Sequence, residues 1–328
     1  MKVTRGKTPI IDAVIPVKNG MPEIQDCIQA LMSQTMAPRK IIVIDSGSSD
    51  GTYEYLSKIP IVEIMRIEPS QFNHGLTRNL GWQHSDADLL LYTVQDAKPL
   101  SNQLIEQLAD GFSDLSVWAV CGSQIVCHNL HSNPMQWHRP IDQPVDQRYQ
   151  LSDSQAFDTC SPAEKRNMCG WDNVVAMYRR TALQEVPFRK VSFGEDMLWA
   201  SDALRMGAAI LYRPSAKVCH HHLEDRIQTM RRILSTLYFR HLHFRYIEPI
   251  HPFTWKGYVR LLRHISFNTQ ISLKRRFYWI LYNIQREKAA YDAWKLFHQS
   301  LSGGEKAMEA LYAEWVETPP IPLKRIQG

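Results

Sequence analysis

The chain has 328 residues, 44% hydrophobic and 22% charged, with 38 Lys and Arg against 33 Asp and Glu for a net charge of +5. That balance suits one large folded domain with a smaller companion and excludes disordered and fibrous classes. The six cysteines at positions 27, 121, 127, 160, 169 and 219 show neither a CxxC pair nor the density of a secreted disulfide scaffold, which reads as a reducing compartment without a zinc knuckle.

Residues 1–7 lack a leader's apolar core, and no stretch approaches the ~18 apolar residues that span a bilayer, so a cytoplasmic location is expected. The charge is uneven. Residues 226–328 hold 17 Lys and Arg against 7 Asp and Glu, whereas residues 1–225 hold 21 against 26. The split places a domain boundary near 225, between an acidic core and a basic tail that meets something anionic.

In chain order, residues 10–16 read as a strand and residues 22–34 as a helix, whose Ile24, Cys27, Ile28, Leu31 and Met32 recur at helical spacing. A second strand, 40–45, ends at Asp45 and runs into the turn Ser46-Gly47-Ser48-Ser49-Asp50-Gly51. Strand, helix, strand implies a right-handed parallel crossover. A strand over 61–67 and a short helix over 75–84 follow.

The apolar run starting at Leu89 then stops at Asp96, as a central parallel strand covered on both faces would. A helix over 102–112 and a strand over 117–121 come next. Residues 128–163 show no period and read as a long binding loop. Order resumes over 171–178, a helix opens with Glu195 and Asp196 and runs to about residue 206, and a short strand over 209–212 precedes Pro214 and His220-His221-His222. The remainder is helical, aromatic and basic, with Tyr258, Leu261, Leu262 and Ile265 on one face.

The fold class is therefore α/β, a mostly parallel sheet flanked by helices with a helical C-terminal extension. In such sheets ligands bind outside the carboxyl ends of the strands, where both Asp45 and Asp96 fall. Each carboxylate has two readings. Asp45 makes a turn, or accepts hydrogen bonds from a base or ribose. Asp96 caps the next helix, or holds a divalent cation that bridges phosphate oxygens. The Ser46 loop lacks both the Walker ending and the spaced glycines of a dinucleotide fingerprint.

Glu195 and Asp196 compensate a helix dipole, or one of them serves as a general base. His220 and His222 would share one face of an extended chain, as surface histidines or as metal or phosphate contacts. In the tail, Arg231-Arg232, Lys274-Arg275-Arg276 and the aromatic run from Phe277 to Tyr282 form either an interfacial surface for an anionic leaflet or a solvated helical subdomain. No nucleic-acid motif accompanies these cations.

These residues resemble a family. Val14-Ile15-Pro16-Val17-Lys18-Asn19 and the segment from Ile42 to Thr52 are similar to the opening of family 2 glycosyltransferases with the GT-A fold. The segment Phe72-Asn73-His74-Gly75-Leu76-Thr77-Arg78-Asn79-Leu80-Gly81 and Thr93-Val94-Gln95-Asp96-Ala97 resemble its rhamnosyltransferase branch. Gly194-Glu195-Asp196-Met197-Leu198-Trp199 is similar to its Glu-Asp motif, and residues 218–222 to its terminal His-x-His.

The likeness covers about residues 8–225 and leaves out the tail. It implies an inverting transfer from a nucleoside-diphosphate sugar, dTDP- or UDP-linked, with Mg²⁺ or Mn²⁺ as the cofactor. A rhamnose-like sugar would pass to a surface-polysaccharide or lipid-linked saccharide, with peripheral contact of the tail at the inner face of the membrane and no nucleic-acid partner.

By position, Pro16, Asn19, Asp45, Arg78 and Gln95 would meet the donor, and Asp96 and His222 the metal. Asp196 would be the base, with Glu195, Trp199 and Trp171 on the acceptor side or in support. Where many relatives carry Asp-x-Asp this chain has Gln95-Asp96-Ala97, which leaves one carboxylate for the metal. The competing expectation is a nucleotide-sugar-binding scaffold without catalysis.

Overall fold

The computed structural model describes residues 8–128, 132–136, 145–249 and 255–316. Packing divides the chain into two units, the first from residues up to 125, 141–191 and 195–220, the second from 126–140, 192–194 and 221 onward. The second unit thus begins a few residues before position 226 and recruits two earlier segments.

The first unit alternates strands and helices: β1 (Ile11–Val17), α1 (Glu23–Met32), β2 (Ile41–Asp45), α2 (Thr52–Leu56), β3 (Val62–Arg66), α3 (His74–Gln83) and β4 (Leu89–Thr93). After these come β5 (Lys98–Pro99), α4 (Leu104–Asp110), β6 (Val117–Ile125), β7 (Gln147–Tyr149), α5 (Ser154–Thr159), α6 (Pro162–Met168), β8 (Val175–Arg179), α7 (Arg180–Glu185), α8 (Glu195–Arg205) and β9 (Ala209–Cys219).

The strands form one mixed sheet in the order β3-β2-β1-β4-β8-β6-β9-β5, with β7 on β9. The first four are mutually parallel, and β8 is antiparallel to both its neighbours. Every residue of β2 and β4 is buried, which is why both read as unbroken apolar runs.

Three sequence expectations change. Within 128–163, residues 129–131 and 137–144 lie outside the described residues, and much of the rest is ordered into β7, α5 and α6. The missed signal was chemical: Ser161 and Glu164 form a capping box around Pro162 at the first helical position. Pro214 does not stop β9, because the register with β6 jumps from Cys121↔Tyr212 to Ser123↔Lys217 and leaves the proline in an irregularity that needs no ladder donor. Finally, Cys127 and Cys219 are each disulfide-bonded, which removes the support the cysteine spacing lent to a reducing compartment.

The second unit contains α9 (Arg226–Phe244), α10 (Trp255–Ser266), α11 (Leu273–Ser302) and α12 (Glu305–Trp315). One core gathers Met230, Leu234, Leu237, Ala289, Ala293, Phe297 and Met308, and another Leu261, Ile265, Ile271 and Trp279. Among the described residues no helix is long and apolar enough to cross a membrane.

Candidate active site

The parallel pairing of β1 and β2 sets Val17 opposite Asp45 at their carboxyl ends. Asp45 is fully buried. Its Oδ1 accepts from the Ser48 N–H at 2.8 Å, while Oδ2 has no hydrogen-bond partner among the described residues and only Arg66 Nε at 3.5 Å. An unsatisfied buried carboxylate oxygen is costly unless a ligand supplies the donor.

Two other expected donor contacts brace this corner. Asn19, at φ 50°, donates its N–H to Ser48 Oγ and accepts the Ser49 N–H on Oδ1, both at 2.9 Å. Gln95 grips the Lys18 backbone with both ends of its amide, accepting the N–H at 2.9 Å and donating to the carbonyl at 3.3 Å. Pro16 lies half-buried within β1.

The motif in α3 is mostly attachment. Asn73 caps the helix by accepting the Leu76 N–H, and Asn79 pairs with both backbone groups of Phe188 at 2.8 and 3.0 Å. A Cβ on Gly75 would sit 2.0 Å from the Arg189 carbonyl oxygen, and one on Gly81 would sit 2.3 Å from Val14, so both glycines permit close approach. Arg78 then reaches Glu195 at 2.6 Å, both side chains 7% exposed. Its contact is a buried ion pair at the start of α8.

The two adjacent carboxylates there have opposite fates. Burial pushes Glu195 up, but the Arg78 guanidinium and then His74 outweigh it, and the net shift is downward. Asp196 is held well above the usual carboxylate range by burial, then by the charges of Glu195 and Asp172. Paired titratable groups pushed apart in this way mark an acid–base division of labour. Asp196 accepts the Asn173 N–H at 3.2 Å and the Met197 N–H at 2.8 Å.

Trp171 and Trp199 are buried in an aromatic cluster with Tyr92, Tyr178 and Phe188. Trp171 Nε1 donates to Tyr178 Oη, which donates to Asn173 Oδ1 at 2.6 Å. Trp199 Nε1 donates to the Val186 carbonyl.

Sequence reasoning missed Gln124 and Asp172. Gln124 Nε2 donates to Asp172 Oδ2, and Gln124 Oε1 lies 2.7 Å from His220 Nδ1. That oxygen can only accept, so the neutral imidazole is fixed with its proton on Nδ1 and a lone pair on Nε2. His220 Nε2 is 3.5 Å from Asp96 Oδ1. With His222, two residues further along the chain, Asp96 and His220 offer three ligand atoms within 4.8 Å of one another. The signals available were polar residues near strand ends: Gln124 is the penultimate residue of β6, and Asp172 stands three residues before β8.

The sheet order, the carboxylates at its edge and the helical extension define a GT-A-type fold, and solved structures agree. The mannosyltransferase PcManGT of Pyrobaculum calidifontis, solved with GDP-Man and Mn²⁺, matches 94% of this chain and 80% of its own at 15% identity and a TM-score of 0.51. S. aureus TarS 1–349, solved with UDP-GlcNAc, matches 88% and 92% at 12% identity and a TM-score of 0.51.

In sequence, the profile of glycosyl transferase family 2 matches residues 12–186, and the chain belongs to that family. The O-antigen chain rhamnosyltransferase RfbN of Salmonella typhimurium is 30% identical over 69% of this chain and 71% of its own length. The O-antigen chain rhamnosyltransferase WbaN of Salmonella anatum is 28% identical over 70% and 71%.

Proposed function

We propose that the protein moves rhamnose or a similar deoxysugar, with inversion, from a dTDP- or UDP-linked donor to a hydroxyl of a surface-polysaccharide or lipid-linked saccharide. The observation that carries this reading is the divergence of Glu195 and Asp196. One carboxylate is ionised against Arg78, and the other has a raised proton affinity suited to taking a proton from an alcohol. Its companions are the open oxygen of Asp45 for the nucleoside and the Asp96 group for the diphosphate end. The rhamnosyl preference rests on the names of the two Salmonella relatives.

In this mechanism Asp196 takes the acceptor's hydroxyl proton as the oxygen attacks the anomeric carbon. The bond from that carbon to the phosphate oxygen breaks, and the nucleoside diphosphate leaves with the electron pair. Arg78 keeps Glu195 charged and in place, so that the second charge falls on Asp196 only at a cost. Asp45 accepts from the nucleoside, while Asn19, Gln95 and Pro16 keep its corner rigid.

Asp96, His220 and His222 would hold a divalent cation, and Gln124 presents the His220 lone pair to it. One carboxylate beside two imidazoles suits Mn²⁺ better than Mg²⁺, which favours oxygen ligands. Such an ion supplies charge for the departing diphosphate.

The test is incubation of the protein with a panel of nucleotide sugars, dTDP-rhamnose first, and a saccharide acceptor, with NMR of the product's anomeric centre. Transfer with inverted configuration is expected. Retention would remove the single-displacement reading, and neither transfer nor donor hydrolysis from any sugar would leave the scaffold reading.

The exposed face of the second unit supports peripheral membrane contact. Phe267 and Leu273 are each 78% exposed and Phe277 65%, in a stretch that also carries Arg263, Lys274 and Arg275. Exposed apolar side chains among cations fit an anionic leaflet. Co-sedimentation with phosphatidylglycerol vesicles but not with phosphatidylcholine vesicles or DNA is expected. Equal binding to DNA would overturn it.

A further inference from the structure

The second unit holds a cleft that the transfer mechanism does not use. Its volume is about 380 Å³, within the range of small-molecule sites. Tyr278, Tyr282, Gln285 and Arg286 line it from α11, facing Glu224 and Gln228 at and before the start of α9.

On α11 the spacing of Tyr278, Tyr282 and Gln285 places them on one side of the helix. The two tyrosine rings are stacked, with centroids 6.2 Å apart and planes 22° from parallel. The Glu224 N–H donates to Tyr282 Oη at 3.2 Å, which fixes that ring to the opposite wall.

The lining chemistry selects the occupant. The lining carries two carboxylates, Glu224 and Asp225, and two guanidiniums, Arg226 and Arg286, so the cleft has no surplus of either sign. Glu224 is in addition paired with Arg232 at 2.8 Å, and Arg226 with Asp292 at 2.8 Å. A free phosphate would meet two carboxylates, and an acyl chain would leave the glutamines and charges without partners. A neutral ring bearing many hydroxyls needs donors, acceptors and a flat apolar surface together, and the amides, the charged pairs and the stacked tyrosines provide these.

We propose that this cleft binds a saccharide segment of the acceptor. The inference rests on the reading of the acceptor as a saccharide, and gives the second unit a recognition task separate from the chemistry.

The test uses the full chain and, as probes, short rhamnose-containing oligosaccharides released from a bacterial O-antigen, with dTDP and UDP as probes of donor binding. Two variants address the cleft: Tyr278→Ala, which removes a ring already 42% exposed, and Gln285→Trp, which fills the space from an exposed position. Calorimetric titration is expected to show oligosaccharide binding to the natural chain, weakened roughly fivefold to tenfold in each variant. Nucleotide binding and thermal midpoint stay unchanged.

Failure of the natural chain to bind the oligosaccharides, or binding that both variants leave intact, would overturn the proposal. If the nucleotides do not bind but the oligosaccharide effect appears, the transfer reading fails and the cleft stands. If the nucleotides bind and the variants change nothing, the reverse holds.

Discussion

The two units treat charge in opposite ways. The first buries it: Asp12, Asp45, Arg78 and Glu195 are all inside. The second keeps cations in a chain whose large apolar side chains Phe267, Leu273 and Phe277 face outward. Burying a charge costs several kcal/mol unless it is paired, and the first unit pairs Asp12 with Arg39 and Glu195 with Arg78. Leaving an apolar side chain in water is tolerated singly, whereas a cluster of them points to a surface that meets something.

The comparison breaks most severely if the buried pair is cut. Arg78→Met should strand Glu195 and lower unfolding free energy by about 3–5 kcal/mol, read from urea denaturation. Glu195 then loses the partner that depresses its proton affinity. A loss below about 1 kcal/mol, the range of exposed pairs, would show that the bond is ornamental.

Next in size is the imidazole support. Gln124→Leu removes the acceptor that holds the proton on His220 Nδ1, and should weaken Mn²⁺ binding roughly 10–100-fold by calorimetric titration without moving the thermal midpoint by much. Unchanged affinity would detach Gln124 from the metal.

The smallest effect on stability comes from the other unit. Leu273→Ser with Phe277→Ser should shift unfolding by no more than about 0.5 kcal/mol and reduce retention on phosphatidylglycerol vesicles severalfold. Intact retention would move the membrane contact elsewhere.

Much of the fold was legible because its strands carry their own evidence: β2 and β4 open on apolar runs, are buried throughout, and stop at or near a carboxylate. The Glu-Asp motif and the α3 motif were likewise visible, although the reason for the latter was not. Gly75, Asn79 and Gly81 matter because of Arg189, Phe188 and Val14, partners that no local pattern announces.

Gln95 and Asn19 are expected at the donor from the family resemblance; the structure adds that the Gln95 amide holds the Lys18 backbone and Asn19 Oδ1 accepts the Ser49 N–H, bonds that no local pattern announces. Gln124 and Asp172 stayed hidden since a single polar residue near a strand end has many uses, and only the bond to His220 assigns one. In the tail, the face read from Leu261, Leu262 and Ile265 divides, Leu261 and Ile265 packing inward and Leu262 lying exposed. The aromatic run divides likewise, with Trp279 buried and Phe277 outside. Helical spacing shows which residues share a side, and sharing a side does not decide which of them is covered.

The central claim is that Asp196 takes the acceptor's proton, and Asp196→Asn tests it most directly because the amide keeps the volume and removes the base. The turnover number should fall roughly 10²–10⁴-fold with nucleotide affinity unchanged. In the natural protein the rate should be lost as pH falls through a value above the ordinary aspartate pKa of about 4, since the base must be ionised and burial raises its proton affinity. Near-normal turnover in Asp196→Asn, with the same pH profile, would contradict the account.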